Sequence, residues 1–395
     1  MKKTILFMVI NMNVGGTEKA LLNMINQMST DEYDITILML EEYGGFLNQI
    51  PPNVTIQFVE QYKYLKNKLN LPPKTVAKKM IREGNFIKGI NLILVYMISK
   101  LTKNKNYYFK YVTKTVSIIK KEYDIAVAYA GPMDFISFFV VHKINAKRRL
   151  QWIHFDVENF GIDKVFVERI YNKFEKVYVV SEEAKIKIIK AIPSIKDKTS
   201  VYLNIVSPEQ VIKQSKIGSG FNDSYTGFKV LTVGRLSHEK GQDLAIKVLS
   251  RLVKKGFDIR WYCVGEGSAR KEYERLIRKY QLENHFILLG SESNPYPYME
   301  QCDLYVQPSR HEGYCITLAE AKCFNKPIVT TNFSGASEQI KHGETGLIIN
   351  SDEQEMFTAV ETILKDTKLQ ELFNQNLMLE NKHETIENSN VSHIL

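Results

Sequence analysis

Residues 303–320, DLYVQPSRHEGYCITLAE, decide how the rest of the chain is read. Leu304 to Gln307 reads as a short buried strand, Pro308 and Ser309 break it, and an exposed loop carries Glu312 and Gly313. A helix is then expected from about Cys315 to Phe324, stopped by Asn325 and Pro327. Glu312 and Glu320 stand eight residues apart across this loop and helix start. A strand that ends in a polar loop and feeds a helix is how an open parallel sheet presents a ligand site, at the carboxyl ends of its strands. The chemistry is expected here.

Working upstream, VLTVGRLSHEKGQDLA (230–245) has a strand that stops at Gly234, followed by Arg235 and Lys240 on a short loop leading into a helix. Two fixed cations at a strand end suit a diphosphate, which needs its charge neutralised as it leaves. VGEGSARKE (264–272) is another strand-to-helix turn with paired glycines. Taken singly, these charges would be ordinary surface residues. Three such turns in one half of the chain point to one crevice.

The same alternation runs through most of the sequence. Apolar runs near residues 4–10, 34–40, 54–59, 124–129, 149–154, 176–180 and 201–204 read as strands of a first sheet. Runs near 229–233, 260–264, 286–289, 304–307, 328–330 and 347–349 read as strands of a second. Their lack of polar alternation marks strands covered on both faces, hence parallel sheets with helices on each side. The fold class expected is therefore α/β, two Rossmann-like doubly wound domains facing a central cleft. Residues 207–227, rich in Ser, Gly, Lys and Asn, read as a linker. That divides the chain into a first domain (1–206), a second domain (228–365) and a helical tail (366–395).

With 395 residues and 44% hydrophobic content, the chain can build two cores of ordinary size. The net charge of +9 is uneven: residues 1–210 carry +11 and the remainder −2. Within residues 61–121, fifteen Lys and Arg face one acid, Glu83. This segment, from Lys63 to Lys121, reads as helical and includes FIKGINLILVYMISKL (86–101), an apolar run flanked by Lys88 and Lys100. Basic sequence that also exposes Leu, Ile and aromatic residues suits an anionic membrane surface; the alternative is an apolar face packed on the sheet beneath a solvated lysine face. No nucleic-acid partner is expected, since no recognised binding module accompanies the charge. The four cysteines, Cys263, Cys302, Cys315 and Cys323, show no C-x-x-C spacing and read as reduced core residues. The opening apolar run is cut short by Asn11 and Asn13 and reads as a first strand rather than a signal peptide. The expected location is cytoplasmic, peripheral on the inner face of the cell membrane.

After that first strand comes NMNVGGTEKA (11–20), where Gly15 and Gly16 bring backbone close to a ligand and Thr17-Glu18 open a helix. A Gly-Gly pair alone marks only a tight turn, and His154 alone would be a buried histidine satisfied by backbone.

Together the pieces resemble the family-4 retaining glycosyltransferases of GT-B fold. The matching segments are GGTE (15–18), WIHFD (152–156), VGRLSHEKG (233–241), VGEG (264–267), LYVQPSRHEGYCITLAEA (304–321) and FSGASEQIKHGETGLII (333–349). The E-x7-E spacing with Arg and Lys upstream is the specific part. The resemblance implies that Arg235 and Lys240 bind a donor pyrophosphate, Glu312 the donor sugar hydroxyls and Glu320 the ribose hydroxyls. It implies that amides around Cys315 to Leu318, with Gly313 and Thr317, cap the phosphates, and that Gly265 and Glu266 line the donor. His154 matches the family's active-site histidine and Gly16 its glycine loop. The resemblance further implies that residues 1–206 form an acceptor-binding domain, that residues 228–365 form a nucleotide-sugar-binding domain, and that the tail (366–395) returns to the first domain. The chain departs from the family at Tyr314-Cys315-Ile316-Thr317 and at Asn204-Ile205-Val206, which leaves donor choice open.

The expected activity is hexosyl transfer, with retention of anomeric configuration, from a nucleoside diphosphate sugar, UDP-linked, to a lipid-linked or polymeric glycan acceptor in surface-polysaccharide, wall-polymer or glycolipid synthesis. No D-x-D run ends a strand, so no metal or other cofactor is expected. The rival is a non-catalytic GT-B partner subunit that binds the acceptor or stabilises another transferase. Such a scaffold needs none of Arg235, Lys240, Glu312 or Glu320. A nucleotide-sugar epimerase would carry further acids in the cleft, which the sequence does not identify.

Overall fold

The structure, a computed structural model, describes residues 2–131, 134–155 and 163–387. Asp156, the last residue of the WIHFD segment, lies outside the described residues. The chain divides into two compact units, one built on residues 1–13 and 26–202, the other on residues 14–25 and the chain from Leu203 onward.

The first unit is a seven-stranded parallel sheet in the order β3-β2-β1-β4-β5-β6-β7. Its strands are β1 (Lys3–Val9), β2 (Tyr33–Met39), β3 (Thr55–Phe58), β4 (Ile119–Gly131), β5 (Ile144–Ile153), β6 (Lys176–Val179) and β7 (Thr199–Val201). Ile5, Leu6, Phe7 and Met8 of β1 are fully buried in succession, as a strand covered on both faces requires. The helices up to this point in the chain are α1 (Gly16–Gln27), α2 (Tyr62–Asn70), α3 (Pro73–Arg82), α4 (Phe86–Leu101), α5 (Lys105–Val112), α6 (Asp134–Lys143), α7 (Lys164–Tyr171) and α8 (Glu182–Ala191). Phe109 of α5 meets Phe135 and Phe138 of α6 and Phe166 of α7 at ring-centroid distances of 5.3–5.6 Å, which anchors the basic helices to the core.

The second unit is a six-stranded parallel sheet in the order β10-β9-β8-β11-β12-β13. Its strands are β8 (Phe228–Val233), β9 (Ile259–Val264), β10 (Phe286–Gly290), β11 (Leu304–Gln307), β12 (Ile328–Thr331) and β13 (Leu347–Ile349). Its helices are α9 (Pro208–Ser215), α10 (Gln242–Lys254), α11 (Arg270–Lys279), α12 (Tyr296–Gln301), α13 (Ile316–Lys322), α14 (Ala336–Gln339), α15 (Glu353–Lys365) and α16 (Thr367–Glu387). One buried cluster joins α10, α11 and α15 to one face of the sheet; a second joins α12, α13 and α14 to the other. Every strand expected from the sequence is present, with ends moved by a few residues. All four cysteines are free and buried.

One expectation needs correction. The stretch read as a linker holds α9, capped by Ser207, whose Oγ accepts from the Gln210 amide at 3.3 Å. The Ser-Pro-Glu-Gln sequence there is a helix-start signal that the polar composition masked. The segment after α9 is also tied down: Asn294 donates to the carbonyls of Gln214 and Ile217, and Phe221 lies against the Tyr262 ring. Of the tail, the part from Phe373 to Asn381 packs on the second unit, and residues 388–395 lie outside the described residues. Phe373 and Leu377 are fully buried in that unit's two clusters, and Asn381 donates to the Lys322 carbonyl at 2.9 Å.

Candidate functional site at the strand-order reversal of the second unit

Strand order reverses between β8 and β11, which pair in parallel through Leu304 with Val230 and Tyr305 with Leu231. Crossovers to β9 and β10 leave on one side and those to β12 and β13 on the other, so the loops at the carboxyl ends of β8 and β11 diverge around a shared gap. The first loop carries Arg235 and Lys240, the second Glu312. The two signature stretches, 72 residues apart at Lys240 and Glu312, thereby become neighbours.

Lys240 Nζ donates to Glu312 Oε1 at 2.6 Å, with the two side chains 19% and 9% exposed. Burial alone would lower the ammonium pKa; the Glu312 carboxylate more than reverses this, so Lys240 is held charged, its pKa raised. Ser309 Oγ donates to the same carboxylate oxygen at 2.7 Å. Behind it, Gln307 Nε2 donates to Ser309 Oγ at 2.9 Å, and Tyr305 OH donates to Gln307 Oε1 at 2.7 Å. A polar chain thus runs from the sheet interior to Glu312 and fixes its orientation.

The loops are locked to each other by backbone. Gly241 has φ +72, and a Cβ there would fall 1.9 Å from the Pro308 carbonyl oxygen, so only glycine permits the approach. Arg310 forks onto Asp243 with two bonds of 2.7 Å and also donates to the His238 carbonyl at 2.6 Å. Arg235, by contrast, keeps 67% of its side chain exposed and approaches Glu239 only at 3.7 Å. One cation is buried and paired with a carboxylate, and the other is mostly exposed.

Glu320, on α13, is 2% exposed and accepts a 2.7 Å bond from Tyr296 OH. Burial raises its pKa, opposed by Lys19 and by Tyr296. Lys19 Nζ also lies 5.2 Å from the Tyr296 ring centroid. Both Lys19 and Glu18 belong to residues 14–25, which cluster with the second unit. The Glu18 carboxyl folds back over the start of α1, and burial lifts its pKa to about 7 although Arg235 pulls the other way. A Cβ on Gly16 would be 3.4 Å from Ile316, so Gly15 and Gly16 bring the start of α1 close to the start of α13.

Other expected residues take different parts. Gly265 (φ +149) and Gly267 let the loop after β9 lie on the loop after β8, where added Cβ atoms would be 2.0 Å from the Gly234 carbonyl oxygen and 2.2 Å from that of Leu236. Leu236 N bonds Glu266 O at 3.0 Å, and the Glu266 carboxylate pairs with Arg270. This motif therefore supports the Arg235 loop by close backbone packing. Helix α13 is shorter than expected. Leu318 is fully buried and its amide bonds the Cys315 carbonyl at 3.1 Å, which leaves Ile316 and Thr317 at the head of the helix. Gly313 is buried, and Thr317 Oγ1 lies 3.4 Å from Gln307 Oε1. His154 comes directly after β5 in the first unit. It is 8% exposed with its ring 4.5 Å from that of Tyr129, and burial pushes its pKa down to about 3, so the imidazole is neutral.

Sequence reading passed over Tyr296, Ser309, Gln307, Arg310 and Asp243. For Glu18 and Lys19 a signal existed, since both stand just beyond Gly15-Gly16. Tyr296 sits in NPYPYME, whose prolines and short length concealed α12.

Residues 221–377 match the family described as Glycosyl transferases group 1. Among curated proteins, the chain is similar to N-acetylgalactosamine-N,N'-diacetylbacillosaminyl-diphospho-undecaprenol 4-alpha-N-acetylgalactosaminyltransferase of Campylobacter jejuni, at 28% identity over 54% of this chain and 58% of that protein. It is also similar to an uncharacterized glycosyltransferase of Haemophilus influenzae, at 24% identity over 93% of this chain and 92% of that one. Among solved structures, a mutant of S. aureus TarM in complex with Fondaparinux, alpha-GlcNAc-glycerol and UDP superimposes with a TM-score of 0.68 at 17% identity, covering 99% of this chain and 98% of that chain. The match thus spans little more than half of the Campylobacter protein, whereas the structural likeness runs the length of the chain. Residues 221–377 thus match the glycosyl transferases group 1 family, within a chain of GT-B fold.

Proposed function

We propose that the protein is a glycosyltransferase that moves a sugar, with retention of configuration, from a UDP-linked donor to a lipid-linked or polymeric glycan. The observation that carries this reading is the pairing of a preset cation, Lys240, with Glu312 at the strand-order reversal, with the exposed Arg235 on the same loop. In the reaction the bond between the anomeric carbon and the β-phosphate oxygen breaks, and a bond from the acceptor hydroxyl forms on the same face. The acceptor's proton passes to the departing phosphate oxygen. Positive charge then grows on the sugar and negative charge on the diphosphate.

Lys240, already charged and oriented, stabilises that diphosphate without rearranging, and Arg235 closes on it from the loop. Two cations supply the neutralisation that a metal ion supplies in other transferases, so no metal is assigned. Glu312 receives the sugar hydroxyls and Glu320 the ribose hydroxyls, each held by its own donors, Ser309 and Tyr296. His154, neutral at physiological pH, suits a hydrogen-bonding rather than an electrostatic role. The UDP in the TarM complex and the undecaprenol diphosphate in the name of the Campylobacter relative support the donor and acceptor classes.

The test is nucleotide release from a panel of UDP- and GDP-sugars, with and without chelator. Wild type should release UDP, unaffected by chelator. Lys240→Ala and Arg235→Ala should each lose activity by about 10²-fold. Full activity in both variants would refute the site. Activity only with added Mg²⁺ would refute the metal-free mechanism, and a β-linked product from an α-linked donor would refute retention.

A further inference from the structure

Helix α4 presents two faces. Gly89, Leu92 and Ser99 are buried, and Ile93 and Tyr96 pack against the core of the first unit. Gly89 is where α3 crosses: a Cβ there would meet Ile81 at 2.7 Å and the Ala77 carbonyl at 3.0 Å. Ile87, Ile90, Leu94, Met97, Ile98 and Leu101 are instead 46–85% exposed. At about 100° per residue these six fall within one arc of about 100°, opposite the buried residues. They form a continuous apolar stripe with no partner among the described residues.

Its surroundings are basic. Lys88 and Lys100 flank the stripe on α4 itself, Lys103 lies just past its end, and the neighbouring α3 carries Lys74, Lys78, Lys79 and Arg82. Of the fifteen cations in residues 61–121, only Lys66, Lys79, Lys105 and Lys121 make ion pairs among the described residues. At sixteen residues α4 is about 24 Å long, short of the apolar thickness of a bilayer, and no described helix is long and apolar enough to cross a membrane.

We infer that the outer face of α4 docks on an anionic lipid bilayer, lying parallel to its surface with the six apolar side chains below the headgroups. A neutral protein partner would cover the stripe but would leave the unpaired lysines uncompensated. An anionic bilayer satisfies both, apolar chains beneath and phosphates at the rim. The docking is independent of the transferase reading, since it uses none of the residues assigned to the donor.

The test is co-sedimentation of the full chain with vesicles of phosphatidylcholine alone or mixed with phosphatidylglycerol. Binding to the anionic vesicles should exceed that to neutral ones by about tenfold or more and weaken at about 0.5 M salt, where the screening length shortens to a few ångströms. Ile90→Glu with Leu94→Glu should abolish it with an unchanged unfolding midpoint, because both side chains are exposed. Lys88→Glu with Lys100→Glu should weaken anionic binding while leaving the apolar stripe intact. Equal binding to neutral vesicles, or full binding by both double variants, would overturn the inference. So would a concentration-dependent dimer, without vesicle binding, that the Ile90/Leu94 variant dissolves. UDP release in solution should be unchanged in either variant, which separates failure of the docking from failure of the proposed activity.

Discussion

The Lys240–Glu312 pair offers a direct measure of how far the site is organised before any ligand arrives. Glu312→Gln keeps an oxygen for Ser309 but removes the charge facing an ammonium that is only 19% exposed. Lys240→Met keeps the aliphatic stem but strands a carboxylate that is 9% exposed. Removing one partner of a buried pair costs about 3–5 kcal/mol, and the residual exposure of Lys240 brings the expected loss to about 2–4 kcal/mol for either variant. In the double variant neither charge is stranded, so the combined loss should fall short of the sum by about 2 kcal/mol. The fully buried tryptophans make the readout local, since Trp152 lies in the first unit and Trp261 in the second. In a Trp152→Phe background, Trp261 fluorescence reports on the second unit alone. A loss of about 3 kcal/mol should move the urea midpoint by about 1 M. Because the Lys240 pKa is raised, the pair's contribution is fully present below the unfolded pKa of 10.5 and fades as pH rises through the folded value. Additive single losses of under about 0.5 kcal/mol each would refute the reasoning, since they describe a solvent-screened surface contact.

The buried His154 should make the first unit sensitive to acid. Its folded pKa of about 3 lies below the unfolded 6.5, so the unfolded state binds more protons and stability falls as pH drops below 6.5. At pH 5 the penalty is about 2 kcal/mol. His154→Phe should reduce the pH 7.5-to-5 stability loss by that amount, read by Trp152 fluorescence in urea; an unchanged loss would contradict the burial argument. Gly241→Ala should destabilise the second unit by about 2 kcal/mol or more, because the backbone is left-handed and the new Cβ collides with the Pro308 carbonyl. A near-neutral urea midpoint there would mean that the two loops are not in contact.

Much of this protein was readable without coordinates. Unbroken apolar runs such as Thr4 to Ile10 located the strands, because a strand covered on both faces has no polar alternation to show. The spacing of Arg235, Lys240, Glu312 and Glu320 singled out the candidate site because these residues cluster in the segments just past strand ends, a local property. Short or polar-bordered helices were less visible. α9 hid in what looked like linker composition, and α12 behind its prolines.

What only the tertiary structure decided depends on which distant segments become neighbours. That Lys240 is neutralised by Glu312, that Tyr296 occupies Glu320, and that the start of α1 clusters with the second unit all depend on strand order, which periodicity does not encode. The tail's docking through Phe373 and Leu377 is of the same kind. The basic segment shows the division most plainly. Its sequence declared it helical, apolar and charged, but a helix has more than one apolar arc. Only the packing of Gly89 against α3 and of Leu92 into the core determined which arc was left facing outward.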